Sequence, residues 1–86
     1  MYHYTLDKHY SPATFMKGCS LLEQLEGIAV SGDLLTDHLD GSMIQVYAID
    51  GKQIRIEADF MVDAVWVDSE IPLAHLFPWA SLSYET

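Results

Sequence analysis

The chain has 86 residues, thirteen acidic against four basic, for a net charge of −9, and half of its residues are hydrophobic. That length reads as a single domain over residues 1–86, able to bury a core unaided but with little stability to spare. The hydrophobic content excludes a disordered chain, the apolar runs are too short to span a bilayer, and a surface of this charge repels nucleic acid and anionic membranes.

One cysteine precludes an internal disulfide and suits a reducing compartment. The opening MYHYTLDKHY lacks the basic and apolar regions of a signal peptide. A cytoplasmic protein is expected, with neither a nucleic-acid nor a membrane partner.

Residues 1–10 alternate. Tyr2, Tyr4, Leu6 and Tyr10 share one face and His3, Thr5, Asp7 and His9 the other, which predicts a half-buried strand with an aromatic inner row. Ser11-Pro12 then opens a helix, Ser11 as N-cap and Pro12 in the first helical position. Phe15, Cys19, Leu21, Leu22 and Leu25 fall on one arc, and Gly27 is expected just past the C-cap. Gly18 lies inside that arc, where a close approach of helix to sheet explains a residue that disfavours helices.

Ile28-Ala29-Val30 reads as a short strand or a core-facing loop. The acidic connector from Gly32 to Gly41 places Asp33, Asp37 and Asp40 at helical spacing, so a helical connector aligns all three on one face.

The stretch from Met43 to Val67 organises the chain, as a hairpin turning at Asp50-Gly51 and running on into a third strand. A two-residue loop sets Tyr47 opposite Ile54, mixing apolar and charged residues on the second face. A three-residue loop from Ile49 to Gly51 gathers Ile44, Val46, Ala48, Ile54, Ile56 and Ala58 on one clean face, with Tyr47 and Arg55 on the polar one. A one-residue slip inverts every side chain, so the clean pattern favours the three-residue loop, with Gly51 left-handed. Residues 61–68 are apolar on both parities and read as a strand covered on both faces or lying at an oligomer contact. Ser69 to Phe77 suggests a helical turn or short helix, and Trp79 to Glu85 a final strand with Ala80, Leu82 and Tyr84 on one face.

The fold class is therefore α+β, a mainly antiparallel sheet of four to five strands with one helix on one face. Chemistry-bearing motifs are weak. His3 and His9 lie too far apart on an extended strand to share a metal, and no HxH, HxxxH or CxxC spacing occurs, so His3, His9, His38 and His75 read as structural or surface residues. Asp33, Asp37 and Asp40-Gly41 lack the spacing of a calcium loop. Cys19, on the apolar arc, reads as a buried small hydrophobe. Neither a catalytic residue nor a cofactor is assigned.

The function expected is a small acidic, non-enzymatic protein that binds a basic protein partner, in an inhibitor, immunity- or antitoxin-like, or mobile-element accessory role. Its candidate contacts are Asp33, Asp37, Asp40, Tyr47, Glu57, Asp59 and Asp63, and a homodimer is expected through the strand at 61–67 or the C-terminal one. Two other classes compete. One is a small-ligand domain with an aromatic pocket between helix and sheet, lined by Trp66 or Trp79. The other is an enzyme using paired carboxylates.

Overall fold

The structure, a computed structural model, describes residues 1–84. The first strand, β1, spans Tyr2–Asp7, and the helix α1 follows at Pro12–Leu22. Two short strands, β2 (Ala29–Val30) and β3 (Leu35–Thr36), precede β4 (Met43–Ile49), β5 (Lys52–Asp59), β6 (Ala64–Ser69) and β7 (Ser81–Tyr84). All strand pairs are antiparallel, in the order β2-β4-β5-β6-β1-β7, with β3 on the same edge of β4 as β2. The class is α+β as expected. Among the described residues the sheet has seven strands rather than four to five: the short strand offered at 28–30 forms as β2, and the acidic connector adds the two-residue β3, too short to register as a pattern.

The hairpin register differs from the expected one. Tyr47 lies opposite Ile54, Gln45 opposite Ile56 and Ile49 opposite Lys52, so the loop holds only Asp50 and Gly51. Both have positive φ, +50° and +73°, a type I′ turn whose twist matches that of the flanking strands. The face beneath α1 thus carries Gln45 and Tyr47 among Ile54, Ile56 and Ala58. Its polar atoms are satisfied: the Tyr47 hydroxyl donates to Glu23 Oε2 at 2.7 Å, and the Gln45 amide donates to Gly32 O at 3.3 Å and Val46 O at 3.2 Å. The second face mixes half-buried Ile44, Val46 and Ala48 with Arg55 and Glu57, and α1 packs on the other side.

Helix α1 begins as expected: Ser11 Oγ accepts from Thr14 N at 3.1 Å, and Pro12 follows. It ends earlier than the pattern implied, at Leu22. Glu23 is the C-cap, and i→i−3 bonds from Gln24 to Leu21 and from Leu25 to Leu22 wind the chain down toward Gly27, which has φ +82°. Phe15, Gly18, Cys19 and Leu22 face the sheet and pack on β5 and β1. A Cβ on Gly18 would lie 2.5 Å from Ile56 Cδ1 and 2.9 Å from Leu6 Cδ1, so the close approach expected from the sequence is real.

Strand β6 is internal, between β5 and β1, with Val65 and Val67 in the core and Trp66 on the opposite face. Met61 and Val62, expected in this strand, sit in the exposed turn before it. The segment after β6 folds over the core face. Ser69 Oγ accepts from Ile71 N, Leu73 N donates to the Tyr4 hydroxyl at 2.6 Å, and a single turn at Leu73–Phe77 buries Leu73 and Phe77 against Tyr4. The final strand starts at Ser81 rather than Trp79, and Glu85 lies outside the described residues. Among the described residues, no helix is long and apolar enough to cross a membrane.

Leu22 is fully buried, so Leu22→Ala is expected to cost about 2–5 kcal/mol in a denaturant titration. Gly51 has open space around it but a left-handed φ, so Gly51→Ala is expected to cost about 1 kcal/mol by the same measurement.

Candidate functional site

Residues 37–42 form a tight loop rather than a helix. Asp37 Oδ1 accepts from Leu39 N and Asp40 Oδ1 from Ser42 N, both at 2.8 Å, while Gly41 N donates to Asp37 O at 2.8 Å. Short polar side chains that bond the backbone two residues on favour such turns over helix, which is why the i, i+4 spacing misled. Asp33 is consequently not aligned with Asp37 and Asp40.

The turn between β5 and β6 is built the same way: Asp59 Oδ1 accepts from Met61 N and Val62 N, each at 2.9 Å, and Asp63 N donates to Asp59 O. This arrangement holds Phe60, Met61 and Val62 outward between two aspartates. Phe60 N donates to Ser42 Oγ at 2.9 Å, which joins the two turns side by side.

Between them lies a depression of about 430 Å³. Leu35, Ile44, Ala58 and Met61 supply apolar wall, and Asp37, Asp40, Glu57 and Asp59 supply carboxylates. Four of the seven contacts expected from the sequence therefore meet at one place, Asp37 and Asp40 from the 37–42 loop and Glu57 and Asp59 from β5. Glu57 is buried beneath the Arg55 guanidinium, its neighbour on the same face of β5, and the pair is closely hydrogen-bonded. Asp37, Asp40 and Asp59 leave their depression-facing surroundings without a neighbouring cation in any ion pair among the described residues.

Three expected contacts fall elsewhere. Tyr47, placed on the polar face by the three-residue register, is 1% exposed, and its hydroxyl is engaged by Glu23 beside Cys19. Burial, then the Glu23 carboxylate, pushes its phenol far up, and burial likewise raises the Cys19 thiol. Tyr47 is a core residue and offers no surface contact. Asp33 does not line the depression. Asp63 works as a latch: Oδ1 accepts from Tyr10 N at 2.8 Å and Oδ2 meets His9 Nδ1 at 3.1 Å, tying the start of α1 to the β5–β6 turn.

Tyr10 completes the tie, its ring edge-on to Phe60 at 5.4 Å and its hydroxyl donating to Gly41 O at 2.7 Å. His3 is paired separately, with Asp68 at 2.6 Å on the opposite side of the sheet's strand order from β3. Trp66 lies near His3 on the face away from α1, and Trp79 packs on Phe77 beneath Lys17.

Exposed apolar side chains surround the depression, where the sequence pattern did not place them: Met61 and Val62 were expected in a covered strand or an oligomer contact. Leu39 is 98% exposed and Met61 81%, with Leu35, Phe60 and Val62 also exposed. The run Asp59-Phe60-Met61-Val62-Asp63 held the signal: two turn-forming aspartates bracket apolar residues of both parities, which marks a turn as readily as a strand. Comparison of the chain with protein-family models, with curated proteins and with solved structures gives no match.

Two measurements probe this scaffold. The Tyr10 amide, then the His9 side chain, lowers the Asp63 carboxyl below its ordinary 3.8, and the Thr14 hydroxyl, then the His9 amide, does the same for Asp7. A lowered folded value contributes stability that is present above about pH 4 and lost as pH falls through the folded value. The stability gap between wild type and Asp63→Asn should therefore narrow as pH is taken from neutral to below that range; a gap independent of pH would contradict the latch. Gly41 combines φ +80° with a Cβ position 2.7 Å from the Tyr10 hydroxyl oxygen, so Gly41→Ala should cost more than Gly51→Ala, measured by denaturant midpoint.

Proposed function

We propose that the protein is a non-enzymatic binding module whose depression between the 37–42 loop and the β5–β6 turn receives a basic, amphipathic segment of a partner protein. The observation that carries this reading is the pairing of apolar wall and carboxylates in one concave place. Lysine and arginine present that same pairing, an apolar stem and a cationic head, and they lay the stem on apolar surface while the head reaches a carboxylate. Exposed Leu39, Phe60, Met61 and Val62 give the partner apolar anchors beside the charges. An apolar patch rimmed by polar residues is the form that interaction surfaces take. The remaining negative charge of the chain steers a cationic partner toward the patch.

A homodimer belongs to the same reading. Leu82 and Trp79 remain exposed at the far end of the strand order from β3, and a symmetric contact there covers apolar surface while leaving both acidic patches open.

The test uses a partner isolated from the native host. Its association rate with wild type should fall by about tenfold or more between low and physiological salt. The triple variant Asp37→Asn, Asp40→Asn, Asp59→Asn keeps a carbonyl oxygen at each turn, so the loops should survive while the salt dependence flattens. Met61→Ser should instead speed dissociation. A partner whose association ignores both salt and the triple variant would overturn the proposal.

A further inference from the structure

We infer that two copies of the chain join edge to edge through β7, in antiparallel register about a two-fold axis, to make one continuous sheet. The inference rests on the homodimer reading above and adds where the contact lies and which atoms make it.

The two edges of the sheet differ. The β2–β3 edge is blunted: its strands are two residues each, Gly32 with φ +89° lies between them, and Asp33 and Asp37 flank β3. Short, interrupted, charged edges resist strand addition. At the opposite edge β7 pairs with β1 over four consecutive residues without a register shift. It carries neither proline nor a charged side chain. Residues 71–84 are the longest stretch of the sequence without Asp, Glu, Lys or Arg, and β1 beside it is uncharged from Tyr2 to Leu6. In a chain of net charge −9, two copies approach with least repulsion along such a flank. The same argument sends the acid-rimmed depression to a basic partner and not to a second copy.

Ladder alternation identifies the free backbone groups. Glu70 N donates to Gln53 O at 3.1 Å and Gln53 N donates to Glu70 Oε1 at 2.8 Å, so Gln53 turns its backbone groups toward β6. Stepping by two, Asp68 turns its backbone groups toward β5, and Val67 and Ser69 toward β1. Tyr2 and Tyr4 therefore bond β6, while His3 and Thr5 bond Ser83 and Ser81 of β7. Leu82 is left with its N–H and C=O pointing away from the sheet. Its side chain shares a face with its cross-strand partner Tyr4, the face that α1 covers, yet Leu82 is 53% exposed because the covering layer ends before β7. A second β7 supplies both missing elements: a backbone partner, and an apolar neighbour that extends the core across the joint.

A four-residue edge contact belongs with small interfaces, so the dimer should dissociate on dilution. Wild type should show a mass near twice 9.7 kDa by sedimentation equilibrium at high concentration, falling toward one chain on dilution. Hydrogen exchange at the Leu82 amide should slow as the dimer forms, while the already bonded Ser83 amide changes little. Leu82→Pro removes the outward N–H without removing a bond to β1, so it should be monomeric with an unchanged circular dichroism spectrum. If that variant fails to fold, Leu82→Lys, which sets a charge on the edge, replaces it. A wild type that stays monomeric at millimolar concentration overturns the dimer reading and this inference with it. A dimer that persists in the folded Leu82 variant, or leaves the Leu82 amide unprotected, overturns the β7 contact alone.

Discussion

The two-residue turn at Asp50-Gly51 decides what the core contains. A loop one residue longer would move every side chain of β4 relative to β5, sending Tyr47 to the outside and Ile44 and Val46 beneath the helix. With the observed turn, Tyr47 reaches Glu23 at the end of α1, and Ile54 and Ile56 meet the helix at Gly18, where the absent Cβ allows the close approach. The position of α1, the burial of Cys19 and the lining of the depression by Ile44 and Glu57 all follow from that register.

The elements with strong local chemistry were legible in the sequence. Ser11-Pro12 marked the helix start, alternation marked β1 and its aromatic inner row, Gly18 marked a close contact, and Asp50-Gly51 marked a turn with Gly51 left-handed. The register was not legible in the hydrophobic pattern, because clean faces favour the longer loop only where both faces need a uniform character. Only one face is covered by α1. The other accommodates valine beside arginine, since the Arg55 stem is itself apolar and its head engages Glu57. Polar residues on the covered face are equally tolerable once bonded, as Tyr47 and Gln45 are. Hydrophobic pattern thus ranked the registers in the wrong order, and turn geometry with hydrogen-bond satisfaction settled the matter.

The acidic connector illustrates a second limit. Periodicity treated Asp33, Asp37 and Asp40 as surface positions of a helix, when Asp37 and Asp40 are turn formers whose side chains bond their own backbone. The same residue type builds the β5–β6 turn through Asp59 and Asp63. These carboxylates therefore shape the loops that they also charge. Their gathering around one depression arises because Ser42 joins the two turns, a contact between residues 18 apart that no local pattern displays.

Charge is distributed along the strand order rather than evenly. At the β3 end, exposed apolar side chains stand among aspartates; at the β7 end, exposed Leu82 stands between Ser81 and Ser83. Apolar exposure costs the same per unit area at either end, but the energy recoverable by covering it differs with the charge of what approaches. A like-charged copy meets the aspartates of the depression at the first end, whereas the residues of β7 itself, Ser81 to Tyr84, carry no charge. In the proposed arrangement self-association and partner binding would use separate surfaces, and a β7 dimer would leave the acidic patches of both copies open and double the partner contacts of each assembly.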